Sequence, residues 1–271
     1  MQRSSITGLL AAGIMLFLAI SLIRNHADSL RPATFTSGYI LISCVIFLAL
    51  FNLRKKLSFM PLGRASFWMQ LHIYIGIAAM VIFGMHVGWR PPNGILETCL
   101  FMLFMMTSMS GIIGLYLSRT VPRRLSKLRE EIIYERIPQF RSQVRNEAHA
   151  VVVSLVSEVP SETIADYYTS RLTEYFVKPR GVFYFLNPSS RLRNTLRNEL
   201  TNLKRYCSES ELVAGERLSR LIDKRDDLDY HEALQGTLKM WLFTHIGLTY
   251  ALITVATLHT IMAHAFRGNV L

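Results

Sequence analysis

The chain has 271 residues, a mean hydropathy of +0.27 and 51% hydrophobic residues, which is too apolar for an ordinary soluble domain. Of its 19 acidic residues, 17 lie between positions 119 and 236, so the rest of the chain is nearly free of negative charge, as membrane spans require. The net charge of +11 does not indicate a nucleic-acid partner, because that polar stretch is nearly balanced, with 20 basic residues. The three cysteines, Cys44, Cys99 and Cys207, form neither a C-x-x-C-H motif nor a zinc-type spacing.

Five segments are long and apolar enough to cross a membrane: residues 7–24, 34–53, 67–89, 95–118 and 238–266. No small-x-small cleavage motif follows the first before Asn25, so we expect a retained span and not a cleaved signal peptide. Basic residues cluster in the loop at 54–64 and at 119–129. The positive-inside rule then places the N-terminus and the region 120–236 in the cytoplasm of a bacterial-type inner membrane, with the C-terminus outside.

The predicted fold class is all-α: a membrane bundle of five spans with a helical cytoplasmic domain inserted between spans four and five. The predicted domains are residues 1–119, 120–236 and 237–271. Within the inserted domain, Ser161 is expected to cap one helix, and Ser208 with Glu211 forms a capping box before another. The aromatic stretch 178–188 between them reads as a loop that packs on the domain or touches the bilayer. The last helix of the domain is expected to continue without a break into the fifth span.

Two of the predicted spans each carry a pair of histidines fourteen residues apart: His72 and His86 in the third, His245 and His259 in the fifth. Fourteen residues of α-helix advance about 21 Å and turn about 1400°, so the two imidazoles of a pair leave the helix within ~40° of one direction. Each pair therefore reaches from near one edge to near the other of a hydrocarbon core roughly 30 Å thick.

The two histidine spans are both odd-numbered, so they cross the membrane in the same direction. His72 and His245 then lie at similar depth near the inner face, and His86 and His259 near the outer face. A low-spin haem iron takes two axial imidazoles from opposite sides of the ring, and facing helices of a bundle supply them. The sequence therefore predicts two b-type haems, one between His72 and His245 and one between His86 and His259.

Each histidine also has a plainer interpretation, because a single membrane histidine is often only a hydrogen-bonding residue. The equal spacing and matched depth of the two pairs favour iron ligation. A bare copper or zinc ion would need three or four ligands close together, and a separation of about 21 Å along each helix argues against that.

Several further side chains are candidates for the haem surroundings. Haem propionates are anionic, and Arg90, four residues past His86, is the leading candidate partner; Lys239, Arg54 and Arg64 are weaker ones, with interfacial anchoring as the alternative for all four. His264 is expected to face away from the ligand side, where it could bind a propionate, line a quinone pocket or meet a partner protein. The remaining histidines lie in polar segments and are predicted to be ordinary surface residues: His26, His149 and His231.

Small residues lie on the histidine side of the third span, where Gly76 and Ala79 would let a flat macrocycle approach the backbone. Helix packing is the alternative for both. The fourth span carries hydroxyl residues before Gly111 and Gly114, and such hydroxyls commonly bond to carbonyls of their own helix, which predicts packing roles for them. They are Thr107, Ser108 and Ser110.

On these four histidines the chain resembles two families: the di-haem cytochrome b of quinol-oxidising complexes, and the transmembrane domain of the ferric reductase and NADPH oxidase group. In both, two helices of a four-helix bundle each carry two histidines about fourteen apart. The chain departs from both families. It lacks a P-E-W-Y-type quinol motif, has no G-x-G-x-x-G between 119 and 236, and has only five residues after Phe266, so we expect no oxidation of a pyridine nucleotide by this polypeptide.

The resemblance implies a membrane electron-transfer subunit whose donor and acceptor chemistry lies partly in other chains of a redox complex. A quinone near one haem and an extracytoplasmic c-type cytochrome docking near Arg90 and His264 are the expected partners. The alternatives are a self-contained reductase of metal or oxygen, and a non-redox membrane scaffold or small transporter. The inserted domain is expected to dock a partner or stabilise the assembly, because no catalytic constellation is evident in it.

Overall fold

The computed structural model describes Gly13, Ser21 and residues 33–56, 65–128, 132–158 and 163–266. Helices make up the fold, and no strand occurs within these ranges, which confirms the all-α prediction. Apart from Gly13 and Ser21, the predicted first span lies outside the described residues, and so do the Ser161 cap, His26, Arg64 and the Arg54 side chain. The α-helices are α1 (Ala33–Lys56), α2 (Ala65–Val87), α3 (Ile95–Leu125), α4 (Ile137–Glu158), α5 (Thr163–Tyr167), α6 (Thr173–Val177), α7 (Val182–Leu186), α8 (Arg191–Leu203) and α9 (Glu209–Ala265).

The chain divides into two compact units. The apolar unit contains the described residues up to Tyr116 together with those from Trp241 onward, and the polar unit is Leu117–Met240. Four described helices, α1, α2, α3 and α9, are long and apolar enough to cross a membrane by length and composition. Helix α9 runs for 57 residues without interruption, as the sequence predicted, and belongs to both units.

Helices α1 and α2 of the apolar unit form an antiparallel pair. Ser37 near the start of α1 contacts His86 near the end of α2, and Phe51 near the end of α1 lies 5.0 Å, between ring centroids, from His72 near the start of α2. Helix α3 packs its Phe104 ring on Phe83 of α2, with centroids 3.9 Å apart and planes 12° apart. These contacts place both ends of α2 against neighbouring helices.

The polar unit is built around an apolar core of α4, α5, α6, α8 and the first part of α9. The capping box at the start of α9 forms in part: the Glu211 carboxylate accepts the Ser208 backbone N–H at 2.8 Å, and the Ser208 hydroxyl donates to the same carboxylate at 3.0 Å.

Two histidines of the polar unit were predicted to lie on its surface. His149 is exposed, as predicted, but the prediction for His231 is wrong. His231 is only 3% exposed, because its side of α9 faces the interior of the polar unit, and its Nδ1 lies 3.2 Å from the Gln235 amide.

A buried ionic network holds the polar unit together. Asp229, with no exposed side-chain surface, forms ion pairs with Arg141, Arg180 and Arg225 at 2.8 to 3.0 Å. Burial raises the pKa of the Asp229 carboxyl above its usual range, although the three guanidinium groups oppose the rise. The side chain of Arg225 is fully buried as well, so this aspartate neutralises charge that has no access to solvent.

Candidate functional site: two levels of paired imidazoles

The apolar unit brings His86 of α2 and His259 of α9 to one cavity, which both side chains line. His72 and His245 lie fourteen residues earlier on the same two helices. All four side chains are partly buried. Ala79 and Phe83 of α2 share an apolar cluster with Leu252 of α9, and His86 and His259, which follow them along the chain, share a cavity. The two helices therefore run in the same direction within this unit.

The outer level is a cavity of about 410 Å³ lined by both His86 and His259. Its walls come from α1, α2, α3 and α9, and Arg90 and Glu97 also line it. Ligand pockets in proteins commonly have volumes of ~300–1,000 Å³, lined mainly by apolar side chains with a few polar groups. The outer cavity has this character, since Leu41, Val45, Phe83, Phe101 and Leu252 are among its lining residues.

A serine of α1 orients the His86 imidazole. The Ser37 hydroxyl, on a residue only 2% exposed, donates to the Thr34 carbonyl at 3.0 Å and lies 3.0 Å from His86 Nδ1. In the tautomer that carries its proton on Nδ1, the Ser37 oxygen accepts the Nδ1–H of the imidazole. That tautomer leaves the Nε2 lone pair of His86 available for a metal. Gly38 allows the approach, since a Cβ there would lie 3.1 Å from His86 Cε1.

His264 lines the same outer cavity, although the helical angle predicted that it faces elsewhere. Its Nδ1 donates to the Thr260 carbonyl at 2.8 Å, and its Nε2 accepts a short hydrogen bond from the Tyr39 hydroxyl. Both ring nitrogens are therefore used within the protein. His264 stabilises the contact of α9 with α1 at the cavity wall and has no nitrogen left to ligate iron.

The inner level is organised by α3. The Ser110 hydroxyl oxygen lies 3.2 Å from His245 Nδ1 and can accept its proton. The Ser110 carbonyl accepts the Trp241 indole N–H at 2.8 Å, and the Trp241 ring stacks on His245 with planes 21° apart. Gly114 makes this possible, because a Cβ there would lie 1.8 Å from Trp241 Cζ2. Thr107 bonds back to the Leu103 carbonyl, as expected of a packing hydroxyl.

His72 on the inner level has a buried Nδ1 atom with no hydrogen-bond partner. A buried polar atom in this condition costs about 1–3 kcal/mol, so buried imidazole nitrogens normally bond to protein, to water or to a metal. The Leu48 carbonyl lies beside the same ring. The glycine one turn along α2, Gly76, meets no side chain, since a Cβ there would have nothing within 4 Å.

An apolar layer separates the two levels. It consists of tightly packed side chains from all four helices, each at most 8% exposed: Val45, Ala79, Phe83, Phe104 and Leu252. Two of these, Ala79 and Phe83, lie on α2 between its histidines, as the sequence places them. The layer keeps the two imidazole pairs in separate surroundings.

The residues present fit two bis-imidazole haem sites. At each level the Nδ1 of one imidazole lies within hydrogen-bond distance of a serine hydroxyl: His86 with Ser37, and His245 with Ser110. Metal-ligating histidines usually have their second ring nitrogen hydrogen-bonded in this way. No three His, Cys, Asp or Glu side chains converge within the described ranges. Arg90 is exposed at the outer cavity, where a propionate would meet it. Lys239 instead pairs with Glu135, at 3.4 Å, in the polar unit.

Sequence reasoning missed the residues that orient the ligands. Ser37 was not singled out, and Ser110 was assigned to packing alone. Each serine lies opposite a histidine of another helix, and the sequence of a single helix does not predict such a contact. Periodicity relates only residues of the same helix or strand. Comparisons with protein-family models, with curated proteins and with solved structures give no match.

Proposed function

We propose that this protein is a membrane electron-transfer subunit that carries electrons across the bilayer through two b haems, an inner one on His72 and His245 and an outer one on His86 and His259. The observation that carries the proposal is the geometry of the two imidazole pairs. His86 of α2 and His259 of α9 line one cavity, His72 and His245 lie fourteen residues earlier on the same helices, and at each level one imidazole lies beside a serine hydroxyl of a third helix.

The chain's own residues position and insulate the sites. Ser37 and Ser110 accept Nδ1–H protons and thereby present Nε2 of His86 and His245. Arg90 would neutralise a propionate at the outer cavity. Bound haem would supply an iron that gains and loses a single electron without ligand exchange. The apolar layer excludes water and ions from the space between the two levels.

The finer assignments are part of the proposal. They include five spans, an N-terminus and polar unit on the cytoplasmic side of a bacterial-type inner membrane, and a C-terminus outside. The electron partners would be a quinone near one haem and a redox protein, such as an extracytoplasmic c-type cytochrome, near Arg90. The support for this orientation is the distribution of basic residues, which are concentrated at 54–64 and 119–129.

The direct test is the haem content of the purified chain. We expect reduced b-type α-bands and a pyridine haemochrome that gives two haems per chain. His72→Ala and His245→Ala should each abolish one haem, and His86→Ala and His259→Ala the other, because a bis-imidazole site needs both ligands. His149→Ala, an exposed histidine of the polar unit, is the matched control and should leave both haems.

Two results would contradict the proposal. One is a chain expressed with ample haem that remains colourless. The other is loss of the same haem from His72→Ala and His86→Ala, which would mean that the two levels are not separate sites.

A further inference from the structure

The polar unit exposes an unusual apolar surface on its short helix α7. Val182, Phe183 and Leu186 are 79%, 86% and 76% exposed, although they are large apolar side chains. The sequence predicted a loop here. The stretch instead forms one helical turn, which places these three residues together on one face and turns Tyr184 and Phe185 inward.

The inward side of α7 is fastened to the protein. The Arg180 guanidinium lies over the Tyr184 ring, 5.2 Å from its centroid. The Thr237 hydroxyl donates to the Phe185 carbonyl at 3.0 Å, and Gly236 leaves room for the Phe185 ring, since a Cβ there would lie 3.4 Å from Cε1. The exposed face is therefore held in place and does not result from a loosely attached turn.

The point of attachment lies next to the membrane-spanning part of α9. Gly236 and Thr237 precede the apolar run that begins at Leu238, and the distance to Trp241 is about 6–8 Å along the helix. The headgroup region on each side of a bilayer is ~5–8 Å thick. A segment attached at this height on a spanning helix lies at the level of the headgroups.

Basic residues accompany this surface. The Arg124 guanidinium of α3 donates to the Tyr230 hydroxyl of α9 at 2.8 Å, which joins the two helices within the polar unit. Arg119 lies five residues before Arg124 and Gly236 six residues after Tyr230, so both lie on the side of this contact that leads into the apolar runs of the two helices. The Arg119 side chain is exposed, as is Arg191 just after α7. Cations at this height suit anionic lipid headgroups.

We infer that α7 is an interfacial anchor, which inserts Val182, Phe183 and Leu186 into the headgroup and acyl boundary of the membrane that the chain spans. Interfacial segments of this kind bury their apolar face ~5–10 Å below the headgroups and carry cations on their flanks. The anchor would hold the polar unit against the bilayer. This inference rests on the proposed membrane placement of α9.

The test is photocrosslinking of the full chain in its membranes, with p-benzoylphenylalanine placed at Phe183. Two control positions are Met109, an exposed residue of α3 inside its apolar run, and Val153, an exposed apolar residue of α4 in the polar unit. We expect lipid adducts by mass spectrometry at positions 183 and 109, each about tenfold or more above position 153.

The possible outcomes distinguish a failure of the α7 anchor from a failure of the proposed membrane placement of α9. Lipid adducts at 109 but not at 183 would overturn the anchor and leave the membrane spans intact. Peptide adducts at 183 in place of lipid would also overturn it, and would identify the surface as a protein-docking site. No lipid adduct at 109 would refute the membrane placement itself, and the anchor with it.

Discussion

Removal of the Ser37 hydroxyl tests whether the outer imidazole pair holds haem. In the Ser37→Ala variant the Nδ1–H of His86 loses its acceptor in surroundings where residue 37 is only 2% exposed. Without haem, the ring can rotate or change tautomer to limit the cost. With iron bound to Nε2, the ring can neither rotate nor change tautomer. The haem-bound protein is therefore destabilised by the cost of an unsatisfied buried donor, about 1–3 kcal/mol. We therefore expect the affinity of the protein for the outer haem to fall by roughly 5- to 150-fold. This range includes the roughly 10- to 100-fold loss of metal affinity that is typical when a ligating histidine loses its hydrogen-bond partner.

The assay is titration of the apoprotein with haem, followed by optical redox titration of the two centres. The outer haem should also shift to a higher potential, because an imidazole without its acceptor donates less electron density to iron. Ser43→Ala, at an exposed serine of the same helix, is the matched control, and Ser37→Thr should restore affinity by keeping the hydroxyl. The reasoning is refuted if Ser37→Ala binds both haems as tightly as Ser43→Ala, or if it weakens the inner haem.

Two other substitutions give sharp expectations. Gly114→Ala would place a Cβ 1.8 Å from Trp241 Cζ2, so the ring stacked on the inner imidazole must move. We expect the free energy of unfolding to fall by about 1–3 kcal/mol and the spectrum of the inner haem to change. Gly247→Ala, whose Cβ would have nothing within 4 Å, is the control and should change neither. Asp229→Ala leaves buried guanidinium groups without their counter-ion and should lower the free energy of unfolding of the polar unit by about 3–5 kcal/mol in denaturant titrations. Asp223→Ala, at a half-exposed ion pair with Arg197, should cost at most about 1 kcal/mol, and equal losses for the two aspartates would contradict the role of the network.

Helical patterns in the sequence were sufficient to predict the long elements. The fourteen-residue spacing on α2 and α9 predicted which residues share a face, and the structure has both segments as continuous helices with His86 and His259 at one cavity. The uninterrupted passage of α9 out of the polar unit was also predictable, because nothing between Asp226 and Trp241 breaks a helix.

Contacts between elements were not predictable from those patterns. Ser37 and Ser110 matter because of the helix that faces them, and no periodicity within α1 or α3 encodes that neighbour. The prediction for His231 is wrong for the same reason, since it lies in a charged run but its side of α9 is covered by the core of the polar unit. The sequence predicts a loop at α7 because a single turn between Gly181 and Asn187 is too short to show a period.

The apolar layer between the two imidazole levels bears on what the bundle can transport. An ion or a polar substrate that crosses a membrane needs polar partners along its path, and transporters provide them at broken helices or with charged side chains. Here α2 and α9 are unbroken, and Ala79, Phe83 and Leu252 fill the space between the levels with each side chain at most 8% exposed. An electron needs neither water nor a polar path, only two sites held at a fixed separation in surroundings that do not reorganise. The packing of Ala79, Phe83 and Leu252 offers an ion no polar partner, and it therefore supports the proposed electron transfer over transport.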